Sequence, residues 1–238
     1  MSGEIAKLRY LALPRWVAGA VIGVALLVGT GLIVFQPTKA KLYTAIPSQA
    51  LSAAFAFAAI AFAVWVIAVE FSSGTLQRTL TAEPDRHRVL GAKLTAALLG
   101  TAIVALAAAA TSSGLSDIAT TRAGINLDSG DLAGQLFSQV PLALAYAGVG
   151  FGFGLLARSM GGGITLALGL VFVFNGAFGF IPGFRDYTFG QLTQDLTSRL
   201  SGHGDARNGL AVAAIGTIVW VVIILIPGWL RFVRGDLK

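Results

Sequence analysis

The chain has 238 residues, of which 55% are hydrophobic and only 12% charged, and its mean hydropathy is +0.78. A water-soluble domain carries about 25% charged residues, so this composition leaves too little polar surface for a globule in water and points to the bilayer. The absence of cysteine excludes disulfides, thiolate metal sites and a cysteine nucleophile. The net charge of +6 would suit a polyanion, but the basic residues flank long apolar runs, so they read as topology signals and not as a nucleic-acid surface.

A membrane-crossing helix needs about 20 apolar residues, because about 1.5 Å of rise per residue must cover about 30 Å of hydrocarbon. Six runs meet or approach that length: Trp16–Phe35, Gln49–Val69, Leu94–Ala110, Leu136–Ala157, Met160–Ile181 and Leu210–Leu230. None contains Asp, Glu, Lys, Arg or His. Inside hydrocarbon the backbone must bond within its own segment, which predicts α-helices. The Ala, Leu and Gly content lacks the alternation of barrel strands. The expectation is one all-α integral membrane domain, residues 1–238, with six transmembrane helices and short amphipathic surface helices.

The first run follows Lys7, Arg9 and Arg15, is too long for a signal-peptide core and precedes no small-x-small cleavage site, so it reads as an uncleaved span. Met1–Arg15 itself places Ile5, Leu8 and Ala12 in a weak amphipathic pattern, either a surface helix or a basic tail. The third run is short at 17 residues. It extends through Thr111 and Ser112 at one end, or by Lys93 snorkelling at the other. Pro141 and Pro227 mark kinks or span ends. Only Arg158–Ser159 separates the fourth run from the fifth, which requires a tight antiparallel hairpin.

With the N-terminus in the cytoplasm, the inner segments hold 11 of the 17 Lys and Arg against 5 acidic residues, while the outer segments hold 6 of each. That bias predicts N- and C-termini on the cytoplasmic side, with Trp16 and Trp229 at the inner interface. In the outer segment Pro182–Gly209, Leu192, Leu196 and Leu200 recur every four residues, as on an amphipathic helix that lies on the surface or dips into the leaflet.

The chemistry that is missing narrows the function. There is no G-x-x-x-x-G-K-[ST] loop; Gly161–Gly163 lacks the following Lys and opens an apolar span, so no ATP site is expected in this chain. No span carries an ionisable residue of the kind that lines an ion or proton path. His87 and His203 sit in loops apart from other ligands, so no metal site and no catalytic residue is expected. Gly19-x-x-x-Gly23 and Gly150-x-Gly152-x-Gly154 offer close helix contacts, within one chain or between copies. With Phe151 and Phe153 between its glycines, the second motif reads as a helix with one bulky and one thin side.

The inner connection from Glu70 to Lys93 carries the most information. Glu70 ends the second span, Gly74 permits a sharp turn and Thr75 suits the N-cap of a short helix. Leu76 and Leu80 share one face of that helix, and Pro84 stops it. Asp85 can cap the next helix, which runs through Arg86 and Arg88 to Lys93. Taken alone, this is a surface helix against the membrane or a basic loop that only fixes topology.

The same segment resembles the connection between the second and third spans of ATP-binding-cassette (ABC) type 2 permeases, in which a Glu at the span end is followed by Gly-Thr, a Leu, a Pro, one or two Arg and a Lys opening the next span. Glu70, Gly74, Thr75, Leu80, Pro84, Arg86, Arg88 and Lys93 occupy those places. Six spans, both ends inside, a short turn between the fourth and fifth spans and a longer outer segment before the sixth extend the resemblance over essentially the whole chain. One departure is Glu83 before Pro84, where family members often have an apolar residue.

The resemblance implies a multi-pass permease of the cell's inner (cytoplasmic) membrane, working with a separate ABC ATPase subunit and a second permease copy as a homodimer. It implies no cofactor in this chain, with ATP and Mg in the partner ATPase. The connection would dock on that ATPase, with Arg78, Arg86 and Arg88 as charged contacts and Glu70 as a hinge-side anchor. The substrate would be apolar or amphipathic (a drug, a peptide antibiotic or a lipid-like molecule), exported by alternating access. The second and fifth spans resemble those lining the family's path, which singles out Phe55, Phe62, Phe174, Asn175 and Phe178; for Asn175 a helix–helix hydrogen bond is the alternative. Two other classes compete: a membrane-embedded enzyme, which needs convergent polar residues at one depth, and an assembly factor without transport, which would have no ATPase partner.

Overall fold

The computed structural model describes residues 12–73, 85–202 and 206–234. They form helices α1 (Ala12–Phe35), α2 (Leu42–Ser73), α3 (Arg86–Arg122), α4 (Ser129–Phe137), α5 (Gln139–Ala157) and α6 (Met160–Leu168). A π-helical segment (Gly169–Phe174) joins α6 to α7 (Asn175–Phe178), followed by α8 (Phe189–Ser201) and α9 (Leu210–Arg234). No strand occurs among the described residues. Six stretches are long and apolar enough to cross a membrane: Pro14–Phe35, Leu42–Phe71, Arg86–Arg122, Gly130–Ala157, Met160–Phe178 and Leu210–Arg234. The all-helical, six-span expectation holds.

Several spans differ from the apolar runs that announced them, and two of them show the most. α3 has 37 residues, about 55 Å at the helical rise and longer than the hydrocarbon alone requires. Along its polar continuation hydroxyls are satisfied on the helix's own carbonyls: Thr111 donates to Ala107 at 2.8 Å and Thr121 to Asp117 at 2.9 Å. At its start the Asp85 carboxylate accepts from the amides of His87 and Arg88 at 3.0 and 3.3 Å, the cap read from the sequence. The fourth span is broken at Ser138. Pro141 has no N–H to give the Phe137 carbonyl, so the helix restarts, with Pro141 in the first turn of α5 where no donor is needed.

α5 is the centre of the bundle. A Cβ at Gly150 would lie 2.7 Å from the Ile60 carbonyl oxygen, and one at Gly154 3.2 Å from the Val64 Cα, both on α2. At Gly148 and Gly152 it would meet Val221 and Ile224 of α9 at 2.6 and 2.9 Å. Residues two apart on a helix point about 200° from each other. The alternating glycines therefore thin α5 on two sides, one for α2 and one for α9, and not on the single side the sequence suggested. Gly19 and Gly23, by contrast, face open space.

α5 turns into α6 through Arg158, in the left-handed region at φ 53°, and Ser159, whose hydroxyl accepts from the Gly162 amide at 3.2 Å. This is the tight hairpin expected. One end of the bundle thus gathers the start of α1, the end of α2, the start of α3, the α5–α6 turn and the end of α9. It carries Arg15, Arg86, Arg88, Lys93, Arg158, Arg231 and Arg234, and is here the basic end. The opposite, distal end is covered by α8, whose Phe189, Leu192 and Leu196 are buried while Leu200 remains 45% exposed. There the buried Asp195 accepts from the amides of Arg207 and Asn208 at 3.2 and 3.1 Å and from the Asn208 side chain at 2.8 Å. That carboxylate anchors the return into α9.

Candidate functional site

Glu70 lies in the last turn of α2 and Lys93 two turns into α3. The Lys93 ammonium donates to Glu70 Oε1 at 2.5 Å, and the two residues are 1% and 4% exposed. Lys93 therefore does not snorkel: a carboxylate 23 residues earlier neutralises it inside the bundle. An ion pair sealed from water needs such geometry to offset its desolvation. The pair ties α2 to α3 on either side of residues 74–84. Gly74, Thr75, Arg78, Leu80 and Pro84 lie outside the described residues.

Arg86 turns toward α9, not away from the protein. Its guanidinium donates to the Phe232 and Val233 carbonyls at 3.3 and 2.9 Å, groups that a helix C-terminus leaves without intrahelical donors. Next to it the Trp229 indole N–H donates to His87 Nδ1 at 2.9 Å, which makes that nitrogen the acceptor. Arg158 donates to the Arg231 carbonyl at 3.2 Å, and Arg231 returns a bond to the Leu156 carbonyl at 2.7 Å. Phe71 lies under the Arg158 guanidinium at 5.8 Å and edge-on to Phe232 at 6.1 Å. Arg88 is exposed at the surface of this end.

The structure thus brings Glu70, Arg86 and Lys93 to one end, with His87, Arg158, Trp229 and Arg231 that the sequence had not joined to them. Cations in the last turn of α9 were a readable signal for carbonyl capping; the partners that cross between helices were not.

The five residues singled out on the second and fifth spans fall into two places. Phe55 and Phe62 are buried and line an apolar cavity of about 120 Å³ between α1, α2 and α3, with Val21, Thr101 and Val104. The Phe62 ring fills the space beside Gly100, where a Cβ would come within 2.9 Å. Phe174 and Phe178 lie tilted against each other with centroids 4.2 Å apart, and Phe174 meets Trp220 of α9 edge-on at 5.5 Å. Asn175 donates to the Val171 carbonyl at 2.6 Å and accepts from the Gly190 amide at 3.1 Å. It therefore holds the first turn of α8 rather than bridging two spans.

A bundle of six apolar helices, with its polar bonds at the two ends and its core closed by glycine contacts, is a multi-pass α-helical membrane protein. Residues 31–237 match the family model described as ABC-2 family transporter protein, and the chain belongs to that family. No curated protein matches it in sequence. Membership makes the chain a membrane-embedded transport subunit of the ABC type, a class that works with an ABC ATPase.

Proposed function

We propose that this chain is the permease of an ATP-driven exporter, with its basic end in the cytoplasm and residues 74–84 docking on a separate ATPase that holds ATP and Mg. The observation that carries this reading is the buried Glu70–Lys93 pair. It fastens both sides of the connection to the bundle, so force applied to residues 74–84 enters α2 and α3 together. Arg86 extends the link to the last turn of α9. The exposure of Arg88 supports its reading as a contact for the ATPase. The excess of Lys and Arg at this end supports its cytoplasmic placement, in an inner (cytoplasmic) membrane.

The substrate in this reading is apolar or amphipathic, a drug, peptide antibiotic or lipid-like molecule, since the cavity beside Phe55 and Phe62 and the Phe174–Phe178 cluster offer aromatic and aliphatic walls. Two copies forming a homodimer would place these walls along a shared path. Support for a second copy comes from α1 and α9, of which only 22% and 17% is buried within one chain.

The test is affinity purification in mild detergent with mass spectrometry of what accompanies the chain. A stoichiometric ATPase that is lost in Arg88→Glu, while the variant keeps its thermal stability, supports the reading. A chain that purifies alone with and without nucleotide overturns it.

A further inference from the structure

The distal end holds a cavity of about 510 Å³ between α2, α4, α5 and α8. That is the size of a small-molecule site, typically about 300–1,000 Å³, and several times the apolar space beside Phe55. Its lining is unlike the rest of the bundle. Among the described residues, four glutamines, seven Ser or Thr hydroxyls and the Tyr146 phenol face it, with one charge, Lys41, and no carboxylate.

This polarity reaches inward. Tyr146 lies seven residues into α5, about 10 Å along the helix. Gln139 is only 6% exposed and accepts from the Ser52 hydroxyl at 2.6 Å. Its amide NH₂ meets no acceptor among the described residues, although Gln139 lines the cavity. That NH₂ opens on the cavity, so it is free to donate to an acceptor bound there. The α8 wall is held in place beforehand by Asn175 at Gly190 and by Asp195 at Arg207 and Asn208. A fixed wall reduces the ordering that binding must overcome.

We propose that this cavity binds a neutral polyhydroxylated group, a saccharide that arrives either free in solution or as the head of a glycolipid. Hydroxyls and carboxamides each donate and accept, as sugar hydroxyls do. Among the described residues a cation would find Lys41 and no carboxylate. An apolar molecule would leave the glutamines unpaired. A peptide would need recesses for its side chains, whereas Ala45, Leu142 and Gly190 are the small apolar part of this wall. The inference does not rest on the exporter reading, because binding is read on the purified chain without an ATPase.

The chain is reconstituted in phosphatidylcholine nanodiscs and kept free of alkyl maltosides, whose heads would compete. Maltose at millimolar concentration is tested by thermal shift, and monoglucosyl diacylglycerol by native mass spectrometry against diacylglycerol. Gln49→Leu and Gln194→Leu serve as variants, since both positions are exposed and their side chains bond to no other described residue. Each should weaken binding about tenfold. Binding of maltose alone assigns a free saccharide, and retention of the glycolipid alone assigns a membrane glycolipid; either supports the proposal. No binding of either probe overturns it, as does binding that is unchanged in both variants. Stabilisation by tetraglycine without any effect of the sugars also overturns it, in favour of a peptide site.

Discussion

Replacing Lys93 with Met removes one side of the ion pair and keeps most of its volume. The Glu70 carboxylate, 4% exposed, then loses the ammonium that lies 2.5 Å away. Breaking a buried pair from one side costs about 3–5 kcal/mol. The lower end, about 3 kcal/mol, is already more than 100-fold in the ratio of folded to unfolded chain. The double variant Glu70→Leu with Lys93→Met carries no charge and fills similar space, so it should return to within about 1.5 kcal/mol of the parent. Unfolding in one non-ionic detergent, followed by far-ultraviolet circular dichroism, gives the four corners of a double-mutant cycle. A Lys93→Met protein as stable as the parent would sink the argument. So would a double variant no better than the single, because its coupling energy would then be near zero. A double variant that is stable but has lost ATPase-coupled transport would assign the pair to transmission as well as to folding.

Other consequences are simpler to state. Arg86→Ala should cost about 1.5–3 kcal/mol by withdrawing a charged donor from the Phe232 and Val233 carbonyls, and should speed hydrogen exchange in the last turn of α9. Gly150→Ala should cost about 1–3 kcal/mol, since its methyl meets the Ile60 backbone at 2.7 Å, while Gly19→Ala, with open space around it, should be neutral or stabilising by up to about 1 kcal/mol. The same thermal measurement reads both, and equal losses at the two sites would refute the packing assignment. Asp195→Ala should release the segment before α9, seen as faster tryptic cleavage after Arg207, because Asp195 is fully buried and accepts from Arg207 and Asn208.

The spans were legible because bilayer thickness imposes a length and an apolar content that local sequence must satisfy by itself. The Arg158–Ser159 hairpin and the buried side of α8 at Leu192 and Leu196 were legible for the same reason: period and spacing are local. What stayed hidden depended on partners distant in sequence. Lys93 reads as a snorkelling residue until Glu70 is placed beside it. Arg86 reads as a surface contact until the end of α9 arrives 146 residues later. Asn175 shows one polar side chain in an apolar run, but nothing local says that its acceptor oxygen meets the first turn of α8. The Gly150–Gly154 alternation was visible, and helical geometry alone could have shown that it serves two faces. The length of α3 was missed because apolar content marks the hydrocarbon and not the helix, which runs on through a polar stretch to Arg122.

The distribution of these contacts says which parts of the bundle move together. In a bilayer, apolar surface gains little by leaving lipid for another helix, so close backbone packing and polar bonds decide which helices adhere. α2 and the fourth span are 61% and 67% buried, whereas the first, fifth and sixth spans are 22%, 17% and 17% buried. Of these sparsely buried spans, α9 is nonetheless fastened along its length. Gly148 and Gly152 seat it against α5, Arg86 and Arg158 hold its carbonyls at the basic end, and Trp220 donates to the Tyr187 carbonyl toward the distal end. α1 has no comparable set at Gly19 and Gly23, and its close glycine contact, Gly29 on Leu115, is to α3. α2, α5 and α9 therefore form one stiff frame. It begins at the ion pair beside residues 74–84 and ends under α8, the wall of the polar cavity, so the proposed push on the connection and a ligand in that cavity would act on the same three helices.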